Sequence, residues 1–308
     1  MTKLTKDNLF VLVKSMTKSE KRQFKLYIGR LGVNEDSKFL LLFKVLERLK
    51  VYDEQVILKA GFVKKLQLSN LKAHLYKQIL ISLKLNPSHQ NLRIQLREQL
   101  DFATILYHKG LYRQSLKMLD KAKSLAIKNQ EKNIAYEIVE LEKIIESQYI
   151  TRSLSNRADE LTVQAKELSH QNVIASKLSN LSLQLYGLFL KTGYVKNDKE
   201  YQKVTDYFNK RMPKYKIEAL GFREKLWLYK SYLWYSFLTQ DFKSCYKYSR
   251  KWVDLFYDNP SMIPLNPVFF LKGYQYLLEA LFFIKHHQKF KSILSDFDKI
   301  TQKSWFPH

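Results

Sequence analysis

The stretch that decides the fold is Lys109-Gly110-Leu111-Tyr112-Arg113-Gln114-Ser115-Leu116-Lys117-Met118-Leu119-Asp120-Lys121-Ala122. Upstream of it, apolar residues fall at Leu96, Leu100, Ala103 and Tyr107; within and beyond it they fall at Leu116, Leu119, Ala122 and Leu125. Steps of three and four stripe one side of a helix, so both flanks have a face to bury. Gly110 lies between them, and a residue free to take positive φ ends a helix at least steric cost. Ser115 and Ala122 are small enough for close backbone approach, and a short turn makes the two helices antiparallel neighbours. The stretch is the turn and second helix of an αα-hairpin.

The order Gly110, Tyr112, small Ser115, large Leu119 and then Ala122 resembles the second half of a tetratricopeptide repeat. The first half departs from that family: Gln99 stands where Trp is usual, Ala103 where Gly is usual, and no Pro closes the unit near Ile127. Weaker echoes open at Tyr201 (with Val204 and Phe208), at Phe242 (with Cys245 and Trp252) and at Phe290 (with Ile293, Phe297 and Ile300). A fainter one opens at Ser155, with Ala158 and Ala165. Their intervals exceed the roughly 34 residues of a tetratricopeptide unit and approach the roughly 40 to 47 of HEAT-type units. The resemblance implies an all-α fold, a TPR-like αα-hairpin solenoid of about five units with lengthened helices, set behind a basic helical N-terminal unit.

Composition agrees with the class. Eight Gly and six Pro among 308 residues are too few for a β-rich fold with many tight turns. A hydrophobic content of 45% excludes general disorder. The one cysteine, Cys245, cannot form an internal disulfide, and its place in a repeat predicts a buried thiol. Leu9 to Val13 is too short for a secretory leader and no apolar run spans a bilayer, so a cytoplasmic location is expected. Formal charge is +24, from 53 basic and 29 acidic side chains, which favours anionic partners. Of the 53, 42 are Lys and 11 are Arg, a balance that suits solubilising charge more than phosphate or guanine reading.

Residues 1–87 carry 18 basic against 7 acidic side chains. Thr17-Lys18-Ser19-Glu20 is a capping box. The helix it opens places Phe24, Tyr27, Ile28 and Leu31 inward and Lys18, Lys21, Arg22 and Lys25 outward, the last four being candidate contacts for an anionic partner. Gly32 stops it. A second helix is predicted over 38–50, a short one from Asp53 to the break at Gly61, and a long one over 69–85. Such short basic helices suit either the cap of a solenoid or a helix-turn-helix variant reading nucleic acid with Lys64, Lys65, Lys72 and Lys77 near the reading element. The cap is favoured, because no Arg/Asn/Gln triplet stands at base-reading spacing.

Asn86-Pro87-Ser88 marks the expected boundary, with the repeats over 88–308. Glu131, Glu137, Glu140, Glu142 and Glu146 make one acidic helix, expected to pair with a basic neighbour. Arg113, Lys117 and Lys121, and again Lys243, Lys247, Arg250 and Lys251, form basic stripes on second helices, whose default is a solvated face. The aromatic helix 226–237 is apolar on nearly every side and predicts burial. If the hairpin resembles a tetratricopeptide unit, first helices line a groove. That implies groove residues Arg97, Tyr107 and His108 from the first hairpin, Trp227, Lys230 and Trp234 from the aromatic helix, and Phe282, Lys285 and His286 from the last. Aromatic anchors beside a Lys suit a protein or peptide partner with an acidic group. The final Trp305-Phe306-Pro307-His308 is aromatic where a solenoid usually ends in a polar cap, which implies a tail that folds back, dimerises or belongs to a longer arrangement.

No zinc-ligand spacing, phosphate loop or Gly-x-Ser-x-Gly motif occurs, and His286 and His287 point about 100° apart on a helix. No cofactor, metal or catalytic residue is expected. The expectation is a non-enzymatic scaffold or adaptor for protein interaction; the alternative is a nucleic-acid-binding regulator with basic N-terminal helices and a sensory repeat domain.

Overall fold

Four inter-helix turns close in the same way. Gly110, Gln130, Gln240 and Lys285 have φ of 75°, 60°, 58° and 57°. In each, the following N–H donates to the carbonyl five residues back: Leu111 to Leu106 at 2.9 Å, Glu131 to Ala126 at 2.8 Å, Asp241 to Ser236 at 2.9 Å and His286 to Leu281 at 3.0 Å. This is the Schellman stop, which satisfies the orphan carbonyls of a helix end and reverses the chain. Only one of the four uses glycine.

The structure, a computed structural model, describes residues 7–32, 37–86, 89, 91–148 and 156–302. It is all-α, with no strand among the described residues. The helices are α1 (Asn8–Ser15), α2 (Lys18–Arg30), α3 (Lys38–Arg48), α4 (Glu54–Lys59), α5 (Lys65–Leu85), α6 (Leu92–His108), α7 (Tyr112–Lys128) and α8 (Lys132–Gln148). They continue as α9 (Arg157–Thr192), α10 (Asp198–Arg211), α11 (Phe222–Leu238), α12 (Phe242–Tyr257), α13 (Met262–Leu265), α14 (Pro267–Phe283) and α15 (His287–Thr301). Two compact units divide the chain, 1–94 and 95–308, so the first residues of α6 group with the N-terminal unit. Pro87 and Ser88 of the expected boundary, Ser155, and Trp305 to His308 lie outside the described residues.

In the first unit each short helix has its own start signal. Asp7 accepts from Phe10 N–H, Thr17 and Glu20 close the capping box, and Asp53 accepts from Gln55 N–H. Their inner faces meet round Phe24 and Phe43, whose ring centres are 4.7 Å apart, with Leu42, Leu46, Leu75 and Ile79 fully buried. Two expectations change here, and one segment gains a structure. Leu9 to Val13 is the heart of a capped helix that buries Leu9 and Val13. The long helix starts at Lys65, four residues early. Leu31 is 54% exposed, because it follows the last helical turn and has left the inward stripe.

In the second unit α6 and α7 approach closely enough for Ser115 Oγ to donate to the Ala103 carbonyl at 2.7 Å. Next, α8 runs antiparallel to the first half of α9, with Glu142 opposite Arg157 and the Lys132 carbonyl opposite Asn172. Glu142 is wholly buried; it accepts from Lys123 at 2.5 Å and from Arg157 at 3.4 Å. Glu142 of the acidic helix does pair with neighbouring helices, inside the protein, whereas Glu140 pairs at the surface with Lys143 of its own helix. The expected openings at 155 and 201 require a turn between them, whereas α9 runs unbroken for 36 residues. No Pro, and no Gly before Gly187, interrupts it. Its second half packs along α11, where Ser231 Oγ donates to the Leu178 carbonyl at 3.0 Å. Beyond α11 come α12, α14 and α15, each packed on the one before. Trp252 on α12 is fully buried, donates from Nε1 to the Phe269 carbonyl at 3.1 Å, and lies against Gly273 of α14. Cys245 is buried as expected.

Candidate functional site

Trp234 on α11 is the wall of an aromatic cleft. Its ring lies 4.7 Å from Tyr186 and 5.6 Å from Phe189 on α9, and 5.6 Å from Tyr276 on α14. Three helices converge on it, because α9 and α11 run side by side while Trp252 and Gly273 draw α14 close to α12. The cavity beside it measures about 510 Å³ and is lined by aromatic rings from α9, α11, α14 and α15, with Gln275 and Glu279 as its polar members. At its mouth Phe282 is 64% exposed, and Phe283 stacks on Phe242 at 4.4 Å. Leu183 and Leu190 on α9 are exposed as well, so an apolar patch continues beyond the cavity. The indole Nε1 of Trp234 is buried and has no hydrogen-bond partner among the described residues. A buried donor left unmade costs about 1–3 kcal/mol.

A polar rail on α14 leads away from the cavity. Lys272 Nζ donates to Gln275 Oε1 at 2.8 Å, and Gln275 Nε2 donates to Glu279 Oε1 at 2.8 Å. Beyond it, the Lys230 ammonium lies 4.9 Å from the Trp227 ring centre and 5.6 Å from that of Phe269. Burial, and then the neighbouring Lys272 cation, push the Lys230 ammonium below its usual pKa. Lys230 has no ion pair among the described residues. An unpaired, half-buried cation over two rings is a ready partner for a carboxylate.

Of the groove residues expected from the sequence, Trp227, Lys230, Trp234 and Phe282 stand on this surface. Lys285 and His286 occupy the turn just after Phe282, the first as the positive-φ residue and the second as the residue before α15; both are exposed. Arg97, Tyr107 and His108 do not line the cleft. Arg97 and His108 are exposed on α6, and Tyr107 donates from its hydroxyl to Gln148 Oε1 at 2.5 Å. The residues sequence reasoning missed are Tyr186, Phe189, Gln275 and Glu279. Leu183, Tyr186 and Leu190 do recur at helical spacing, the signal that this side of α9 is apolar yet uncovered.

In the first unit Lys18 and Arg22 are exposed and Lys21 is half-exposed. Lys25 instead pairs with Glu47 at 2.9 Å and lies over Phe43. Lys72, placed near a reading element by its sequence position, is turned into the unit, paired with Asp7 and bonded to the Tyr52 hydroxyl. Among the described residues no three His, Cys, Asp or Glu side chains are grouped to hold a metal ion, and no helix is long and apolar enough to cross a membrane. No protein-family model matches the chain, and neither does a curated protein or a solved structure.

Proposed function

We propose that this chain is a non-enzymatic interaction module whose αα-hairpins stack in the manner of tetratricopeptide-like units and receive a protein segment across α9, α11 and α14. The single observation that carries the reading is the open aromatic cavity walled by Trp234, with the exposed ring of Phe282 at its edge. The segment sets an apolar side chain in the cavity against Trp234 and Phe282. Trp227 lies seven residues before Trp234, about 10 Å along α11. An acidic side chain about three extended residues from the anchor therefore reaches Lys230 and Lys272. The repeated Schellman turns support the stacking, since each reverses the chain with one backbone geometry. The alternative, a nucleic-acid regulator acting through residues 1–87, has weaker support, because Lys25 and Lys72 are engaged by Glu47 and Asp7.

Selection of a random peptide display library on the purified full chain tests the proposal. Enriched peptides are expected to pair an aromatic or Leu anchor with an acidic residue about three positions away. Phe282→Asp, at an exposed position, is expected to weaken them at least about tenfold, and Lys230→Ala to remove the acidic preference while sparing the anchor. No enrichment, or binders indifferent to Phe282→Asp, would overturn it.

A further inference from the structure

Tyr232 is two residues from Trp234, about 200° round α11, and faces away from the aromatic cleft. On that side its ring stacks on Tyr248 of α12, centres 4.5 Å apart and planes 10° from parallel. Its hydroxyl meets that of Tyr215, from the segment between α10 and α11, at 3.5 Å. The three rings are half-buried and make a neutral aromatic strip, two of them stacked and the third joined through its hydroxyl.

Cations surround the strip. The ammonium groups of Lys247 and Lys251 lie 5.5 and 5.9 Å from the Tyr248 ring centre, and Lys251 is also 5.9 Å from Tyr229. Lys243 stands one turn before Lys247, so the three lysines make an exposed row about 12 Å long on α12. Lys214 and Lys216, both exposed, flank Tyr215. None of these five makes an ion pair among the described residues, and Asp254, an acid on α12, is held by Arg250 at 2.9 Å. Asp241, at the start of α12, is close enough to Lys243 to feel its charge, so the cations left without a nearby acid are Lys247 and Lys251, and the rings beneath them do not neutralise them.

We propose that this face of α11 and α12 binds single-stranded nucleic acid, with phosphates on the lysine row and a base stacked on the outer face of Tyr248. Lysines track a phosphate backbone by counter-ion release, and flat aromatic faces accept any base. A duplex keeps its bases stacked inside and has none to offer Tyr248. A lipid surface offers phosphates but no flat partner. Stacking on a ring and lysine contacts to phosphates hold any base alike, so binding is tolerant of sequence.

The test is fluorescence anisotropy of the full chain with end-labelled oligo-dT and oligo-U at graded salt; duplex DNA, heparin and phosphatidylserine vesicles serve as rivals. Saturable binding of either single strand is expected, with a log–log salt slope of about −0.7 per phosphate neutralised. Lys247→Glu with Lys251→Glu, both exposed, is expected to weaken binding at least about tenfold and flatten the slope. Tyr248→Leu is expected to weaken it several-fold at unchanged slope, while Tyr248→Phe retains it. Phe282→Asp leaves it intact, which separates this surface from the peptide cleft. The proposal is overturned if neither strand binds at low salt. It is equally overturned if duplex, heparin or vesicles bind as tightly and Tyr248→Leu, folded by circular dichroism, changes nothing.

Discussion

Lys132 Nζ sits 3.1 Å from Glu224 Oε2, joining the start of α8 to the start of α11 across 92 residues of sequence. Both side chains are buried, and Gly221 makes room for them: a Cβ there would lie 2.5 Å from Lys132 Nζ and 2.8 Å from Glu224 Oε2. Removing one member of a buried pair strands the other charge. Lys132→Met is therefore expected to lower stability by about 3–5 kcal/mol, and Lys132→Met with Glu224→Leu to return most of that loss. Gly221→Ala overpacks the same spot and is expected to cost about 1–3 kcal/mol. Urea unfolding of the four proteins measures all three, and a double variant no more stable than the single one would remove the pair from the explanation.

The four Schellman turns give a second prediction. Lys285 holds φ of 57° with an exposed side chain, a conformation that strains an L-residue by about 1–2 kcal/mol. Lys285→Gly relieves the strain, while the freer unfolded chain takes back about 0.5–1 kcal/mol. A net gain of about 0.5–1 kcal/mol is expected. Gln240→Gly should gain less, because Gln240 Nε2 donates to the Val195 carbonyl at 2.9 Å. Gly110→Ala should lose about 1 kcal/mol. Thermal melts that rank the three variants otherwise would mean that strain at these turns is relieved elsewhere.

What was legible in the sequence followed from local rules. The capping box at Thr17 and Glu20, the stop at Gly110, and the helix starts at Tyr112 and Phe242 all depend on residues within one turn of each other. Gln130, Gln240 and Lys285 carry no mark of positive φ in their residue type, and only the backbone bonds that close each turn reveal it. The unbroken α9 was illegible for the opposite reason: a period imposed a turn where no Gly or Pro asked for one. Trp227 and Trp234 share a side by their spacing, and both meet α14, at Phe269 and Tyr276. That α9 would supply Tyr186 and Phe189 to the same cleft depends on which helices become neighbours, and no single helix pattern encodes that.

Asp241 caps α12, accepting from Ser244 N–H at 3.0 Å. The hydrogen bond from Ser244 holds its carboxyl below the ordinary 3.8, more than burial raises it. A depressed acid contributes stability above its unfolded value and loses it as pH falls through the folded one. Asp241→Ala is expected to be less stable than the parent by about 1 kcal/mol at neutral pH. The gap should narrow as pH drops below 3.8, because the parent then loses its charged cap. Urea midpoints for both proteins from pH 7 down to pH 3 check the sign, and a gap that widens with acid would contradict it.

One turn further into α12, Cys245 is wholly buried, and burial, with Asp241 adding to it, pushes its thiol up to about 12. A thiol reacts as the thiolate, so at pH 8 both access and ionisation are against it. The native chain is expected to resist a disulfide reagent such as dithionitrobenzoate, reacting with the single equivalent at a rate set by local or global opening. Adding urea below the unfolding midpoint should speed the reaction in proportion to the opened population, whereas raising pH from 7 to 9 in the native protein should speed it through ionisation of the opened form. Prompt reaction of the folded chain would place Cys245 at an accessible surface and undo the packing described round Trp252, since both residues belong to the same buried cluster.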